Sequence, residues 1–142
     1  MSVVESKRSP GKLEVIVKAE CLVVYTIKIC SNEKTFPPQY RNGLICKIEA
    51  AALDIYTDCR TANNIMVGGD PEKMKERSRL QKRAADNCNS LLAMISVAEK
   101  VCHLRRRRVE YWGGLVIKVR ALIKAWRESN EKQYREQLKQ KT

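Results

Sequence analysis

The chain has 142 residues, 44% hydrophobic and 31% charged, the composition of one globular domain with a continuous core. Lys and Arg number 28 against 16 Asp and Glu, a net charge of +12, and the 6 Gly and 4 Pro leave room for few turns. No uncharged apolar run approaches the ~18 residues that a helix needs to cross a bilayer.

Met1–Gly11 reads as a loose polar leader with no apolar stretch of the signal-peptide kind. From Lys12 to about Ser31 the β-branched content would allow a strand, but some 20 residues without a turn signal favour a helix. Leu13, Val17, Cys21, Val24 and Ile27 recur at helical spacing and form the expected buried face. Glu14 and Lys18 lie four apart on the opposite side.

A second helix is expected over about 38–66, since Pro37-Pro38 suits a helix start. Its apolar series is Leu44, Ile48, Ala51, Ile55, Cys59, Ala62 and Met66, with Lys47, Asp54 and Asp58 on the far side. Gly68-Gly69 ends it. Asp70-Pro71-Glu72 then supplies an N-cap acceptor, a proline at the first helical position and a first-turn acid. The third helix, about 71–102, carries Leu80, Ala84, Cys88, Leu91, Ile95, Ala98 and Cys102 inward and Lys75, Arg79 and Arg83 outward.

Four arginines, Arg105 to Arg108, mark the next junction. The fourth helix, about 109–136, repeats Trp112, Val119 and Trp126 every seven residues beside Leu115, Val116, Leu122 and Ile123. Arg120, Lys124 and Arg127 share another face, and 137–142 is expected to fray. Four amphipathic helices joined by short links predict an all-α, up-down-up-down four-helix bundle.

The charge is lopsided. Residues 1–70 hold 9 basic and 8 acidic side chains, whereas residues 71–142 hold 19 basic and 8 acidic. Such an excess of one sign weakens a fold by self-repulsion unless an acidic partner relieves it. Nucleic acid is the first candidate; an anionic membrane surface or an acidic protein would satisfy the same charge. Arginine forks match phosphate oxygens, so the expected phosphate contacts are Arg77, Arg79, Lys82, Arg83, Arg105, Arg106, Arg107, Arg108, Arg120, Lys124 and Arg127. The competing reading of Arg105–Arg108 is a cationic cap on the third helix. Trp112 and Trp126 could stack on bases, but their seven-residue period assigns them to packing.

Six cysteines at irregular spacing read as small hydrophobes of a reducing cytoplasm, not as a metal site. A single histidine, His103, leaves no evident proton shuttle, so neither enzyme activity nor a cofactor is expected.

Phe36-Pro37, Gly43-Leu44 and Ile48-x-x-Ala51-Ala52 resemble the start of helix two in small four-helix-bundle proteins. These include the accessory variability determinant (Avd) proteins of diversity-generating retroelements and the proteins encoded in ribosomal-RNA intervening sequences. Ala62-Asn63, Arg83-Ala84-Ala85-Asp86 and Leu91-Leu92 are more similar to the Avd branch. The resemblance spans about residues 13–127, and Lys124-Ala125-Trp126 keeps only the tryptophan of the family's frequent Gly-Gly-Trp. It implies a homopentameric ring that binds a retroelement reverse transcriptase and its template RNA or cDNA and supports mutagenic cDNA synthesis. The intervening-sequence branch implies instead a structural or interaction protein of undefined role.

Overall fold

The computed structural model describes residues 10–140, and the side chains of residues 14–140. Four α-helices succeed one another: α1 Pro10–Cys30, α2 Cys46–Asn64, α3 Pro71–Val101 and α4 Arg106–Gln140. No strand occurs among the described residues. A 3-10 turn, Pro38–Tyr40, and one π-helical turn, Arg41–Ile45, lead straight into α2. The Cys46 N–H reaches back five residues to the Arg41 carbonyl, the widened ring of a π turn.

The helices run antiparallel around a ring in which each packs on its two neighbours. Glu20 of α1 meets Tyr56 of α2, Asp58 of α2 meets Arg83 of α3, Asn89 of α3 meets Arg120 of α4, and Trp112 of α4 meets Thr26 of α1. The core is continuous through all four. Leu22, Ile48, Ile55, Leu91, Ile95, Trp112, Val116 and Ile123 are fully buried. Periodicity therefore placed the buried faces of three helices. In α2 the run Ile48 to Ala62 is buried, in α3 Leu80 to Ala98, and in α4 Trp112, Val116, Val119, Ile123 and Trp126.

In α1 the expected face is the wrong one. Val17, Val24 and Ile27 are 49%, 45% and 37% exposed, and Cys21 is exposed beside them. The buried face is Val15, Ala19, Leu22, Val23, Thr26 and Cys30. Both faces of α1 are apolar, so spacing alone had two solutions. Leu13 falls outside the described side chains, as does the leader before Pro10, while Pro10 and Gly11 are already helical. Met66 is a second departure: α2 stops at Asn64, and Met66 is 80% exposed in the following loop. Asp58, expected on the polar face, is buried against Arg83.

The loops follow local rules. Gly68 and Gly69 take φ of 52° and 89°, conformations that cost a Cβ-bearing residue about 1 kcal/mol or more. The Asp70 carboxylate accepts from the Glu72 N–H at 2.9 Å and, more loosely, from that of Lys73. Asp70→Ala should cost about 1 kcal/mol, a fall in Tm of roughly 3–5 °C for a domain of this size. An unchanged thermal midpoint would mean that water caps α3 equally well.

At the other end, α3 closes with His103 in the left-handed region, φ 54°. The Leu104 N–H bonds to the Glu99 carbonyl, and Leu104 tucks under the turn, 9% exposed. This is a Schellman-type stop in which histidine stands where glycine is usual. It needs only Arg105 before α4 begins, so α4 starts at Arg106 and not near Val109. Its C-terminal end also continues to Gln140, past the expected fraying point. Tyr134 is half-buried there and donates its hydroxyl to the Gly69 carbonyl at 3.4 Å, tying the last turns to the α2–α3 loop.

Candidate nucleic-acid interface

The basic side chains of the second half do not form one surface. They divide by what each guanidinium or ammonium already holds.

Arg77 is structural. Half-buried on α3, it donates to the carbonyls of Ala62 and Ile65 at the C-terminal end of α2, and to Asn130 Oδ1 of α4. It satisfies carbonyls that a helix terminus leaves without partners. Its desolvation holds the guanidinium below the ordinary arginine value. Gln81, fully buried, donates to the same Asn130 oxygen at 3.1 Å. Arg77 is accordingly removed from the phosphate contacts expected above.

Three more arginines carry a carboxylate each. Arg83 is bidentate to buried Asp58, at 2.9 and 2.7 Å. Arg79 is bidentate to Glu76, at 2.6 and 3.0 Å. Arg106 holds Glu99 at 2.9 and 3.1 Å. In all three the hydrogen bond to the carboxylate raises the guanidinium pKa, and Arg79 correspondingly lowers that of Glu76. Lys82 pairs with Asp86 one turn on, at 3.1 Å. These cations remain exposed, but their charge is locally cancelled.

The rest group into two places. Arg120 and Arg127 cross from α4 to Asn89 and Ser78 of α3, at 2.8 and 2.9 Å, and Lys124 lies between them on the same helix. Arg127 also approaches Glu131 at 3.4 Å. With Lys82, whose charge Asp86 partly offsets, they form a cationic band along the α3–α4 face.

The second group sits at the bundle end, where α1 finishes and α4 begins. Arg105 and Arg107 are exposed there, and among the described residues neither they nor Lys124 pairs with a carboxylate within 4.0 Å. Arg108 donates to Thr35 Oγ1 in the α1–α2 loop at 3.0 Å. Lys34 from the same loop joins them, a residue that sequence reasoning missed, since only the fold brings the loop to the arginine run. No acidic residue occupies the first turn of α4. Arg79 and Arg105, read as one basic half, lie about 35 Å apart at 1.5 Å per helical residue.

The tryptophans are closed to bases: Trp112 is 0% and Trp126 2% exposed. Burial pushes the thiols of Cys30, Cys59 and Cys88 up to about 12, so they stay protonated and are poor metal ligands at neutral pH. Cys21 and Cys46, by contrast, are exposed and Cys102 is partly so, which departs from the reading of the cysteines as small buried hydrophobes. No helix among the described residues is long and apolar enough to cross a membrane. Comparison with protein-family models, curated proteins and solved structures returns no match.

Proposed function

We propose that this chain is a non-catalytic, nucleic-acid-binding accessory subunit of the Avd kind, acting beside a retroelement reverse transcriptase on template RNA or cDNA. One observation carries the nucleic-acid reading: within a chain of net charge +12, Arg105, Arg107 and Lys124 belong to the cations that no carboxylate approaches within 4.0 Å among the described residues, and all three lie on exposed helix and turn positions. An electrostatic interface of this kind positions a backbone and reads no sequence. The polymerase partner rests on the resemblance of residues 13–127 described above.

The test is the salt dependence of binding to a labelled single-stranded RNA. Affinity should fall by roughly 0.7 log units per log unit of salt for each phosphate contacted, whatever the sequence. Affinity independent of salt would overturn the reading, as would failure to bind at low ionic strength. The polymerase assignment falls if no reverse transcriptase is encoded beside this chain's gene, or if the chain neither co-purifies with such an enzyme nor changes its cDNA yield.

Assembly into a ring belongs to the same proposal. The stripe Val17, Cys21, Val24 and Ile27 offers apolar surface that a monomer leaves wet. Light scattering should give a multiple of 16.3 kDa, five for the family's ring. Cys21 should then resist alkylation while Cys46 reacts. A monomer mass at micromolar concentration, with both thiols reacting alike, would refute the ring.

A further inference from the structure

Between the two loops at the arginine end lies a cavity of about 330 Å³, within the size range of small-ligand sites. Lys34, Thr35, Cys102, His103, Leu104, Arg105 and Arg108 line it. Three of the seven are permanent cations, and no carboxylate is among them. Concave walls of one sign concentrate the field inside, so this is a stronger anion trap than the same charges spread on a convex helix face.

The walls are also fixed before any ligand arrives. Asn32 braces the first loop, its Oδ1 accepting from the Lys34 N–H at 2.9 Å and its carbonyl from the Phe36 N–H at 2.8 Å. Phe36, 2% exposed, packs edge-on against Trp112 at 6.0 Å. Leu104 anchors the second loop, and the Arg108–Thr35 bond ties the first loop to the first turn of α4. Pre-organisation of this kind lowers the ordering cost of binding.

We propose that this cavity receives a terminal phosphate of a nucleic-acid strand, a phosphomonoester dianion. The inference rests on the nucleic-acid reading above and deepens it. An internal phosphodiester carries one charge and presents two free oxygens. A terminal monoester carries close to two charges near pH 7 and three strong acceptor oxygens, which suits cations converging from Lys34, Arg105 and Arg108. The band of Lys82, Arg120, Lys124 and Arg127 would then hold internal phosphates.

The experiment compares one single-stranded oligonucleotide bearing a 5′-phosphate, a 3′-phosphate or only hydroxyl ends, on the parent chain and on a Lys34→Gln, Arg105→Gln double variant. Both replaced side chains are exposed and outside the core, and circular dichroism verifies the fold. On the parent, one phosphorylated end should bind roughly three- to tenfold tighter than hydroxyl ends. The ratio should fall to one in the double variant. Equal affinity for all three oligonucleotides on the parent overturns the cavity and leaves the nucleic-acid reading standing. A preference that survives the double variant overturns it as well, because the phosphate is then read elsewhere. If no oligonucleotide binds, the nucleic-acid reading and the strand-end proposal fall together. Adenosine monophosphate, with adenosine as control, then decides whether the cavity takes phosphomonoesters at all.

Discussion

Trp112→Ala should be the most damaging single substitution in the chain, costing about 3–5 kcal/mol. The indole is fully buried where α4 crosses α1, edge-on to Phe36 at 6.0 Å and to Tyr25 at 6.5 Å. Truncation removes its apolar surface and leaves a cavity that three elements cannot close together. It also strands a polar group: Trp112 Nε1–H donates to Thr26 Oγ1 at 3.0 Å, and Thr26 is 0% exposed. An orphaned buried hydroxyl costs about 1–3 kcal/mol by itself. Since domains are stable by only about 5–15 kcal/mol, the alanine variant should be largely unfolded in mild denaturant. Trp112→Phe keeps most of the volume and loses the donor, so its cost should be smaller. Adding Thr26→Val to it should recover part of that cost by removing the orphan. Urea midpoints measure all three. If the double variant is no more stable than Trp112→Phe alone, the hydrogen bond carries none of the stabilisation assigned to it.

That crossing also shows where sequence pattern was informative and where it was not. In α2, α3 and α4 one face is apolar and the other charged, so a 3.6-residue period has a single solution. In α1 apolar side chains ring the helix: Val15, Leu22 and Val23 point inward, Val17, Val24 and Ile27 outward. Period then cannot choose, and packing against α2 and α4 does. The outward set is left as an apolar stripe on the surface of the bundle. The start of α4 eluded the pattern for another reason. A histidine took the left-handed position that glycine normally announces, so the turn gave no signal.

The candidate site was legible only as composition. The excess of arginine is visible in the string, and so are helical neighbours such as Glu76–Arg79 and Lys82–Asp86. The pairs Asp58–Arg83 and Glu99–Arg106 are made by the fold, as is the convergence of Lys34 on Arg105 and Arg108. Counting cations therefore overstated the free charge of the α3 surface and missed a concave place, lined by Lys34, Arg105 and Arg108, where charge is concentrated.

The contrast between bound and unbound arginines has a consequence that one pair of variants can measure. Arg77→Gln should destabilise the fold by about 1–3 kcal/mol, because the Ala62 and Ile65 carbonyls and Asn130 lose a shared donor in a half-buried corner. It should leave the salt slope of RNA binding unchanged, since that guanidinium faces α2 and α4. Arg105→Gln with Arg107→Gln should do the opposite. Two exposed cations that hold no carboxylate contribute little to stability, so the melting curve should move by less than about 0.5 kcal/mol. The salt slope should flatten by roughly 1.4, at 0.7 per lost contact on a single strand. At Arg105 and Arg107 glutamine keeps a polar, exposed side chain, so that double variant isolates charge from packing. Should Arg77→Gln flatten the slope while the double variant melts early and binds normally, the assignment of structural and binding arginines is inverted. The interface would then lie along the α2–α3 loop.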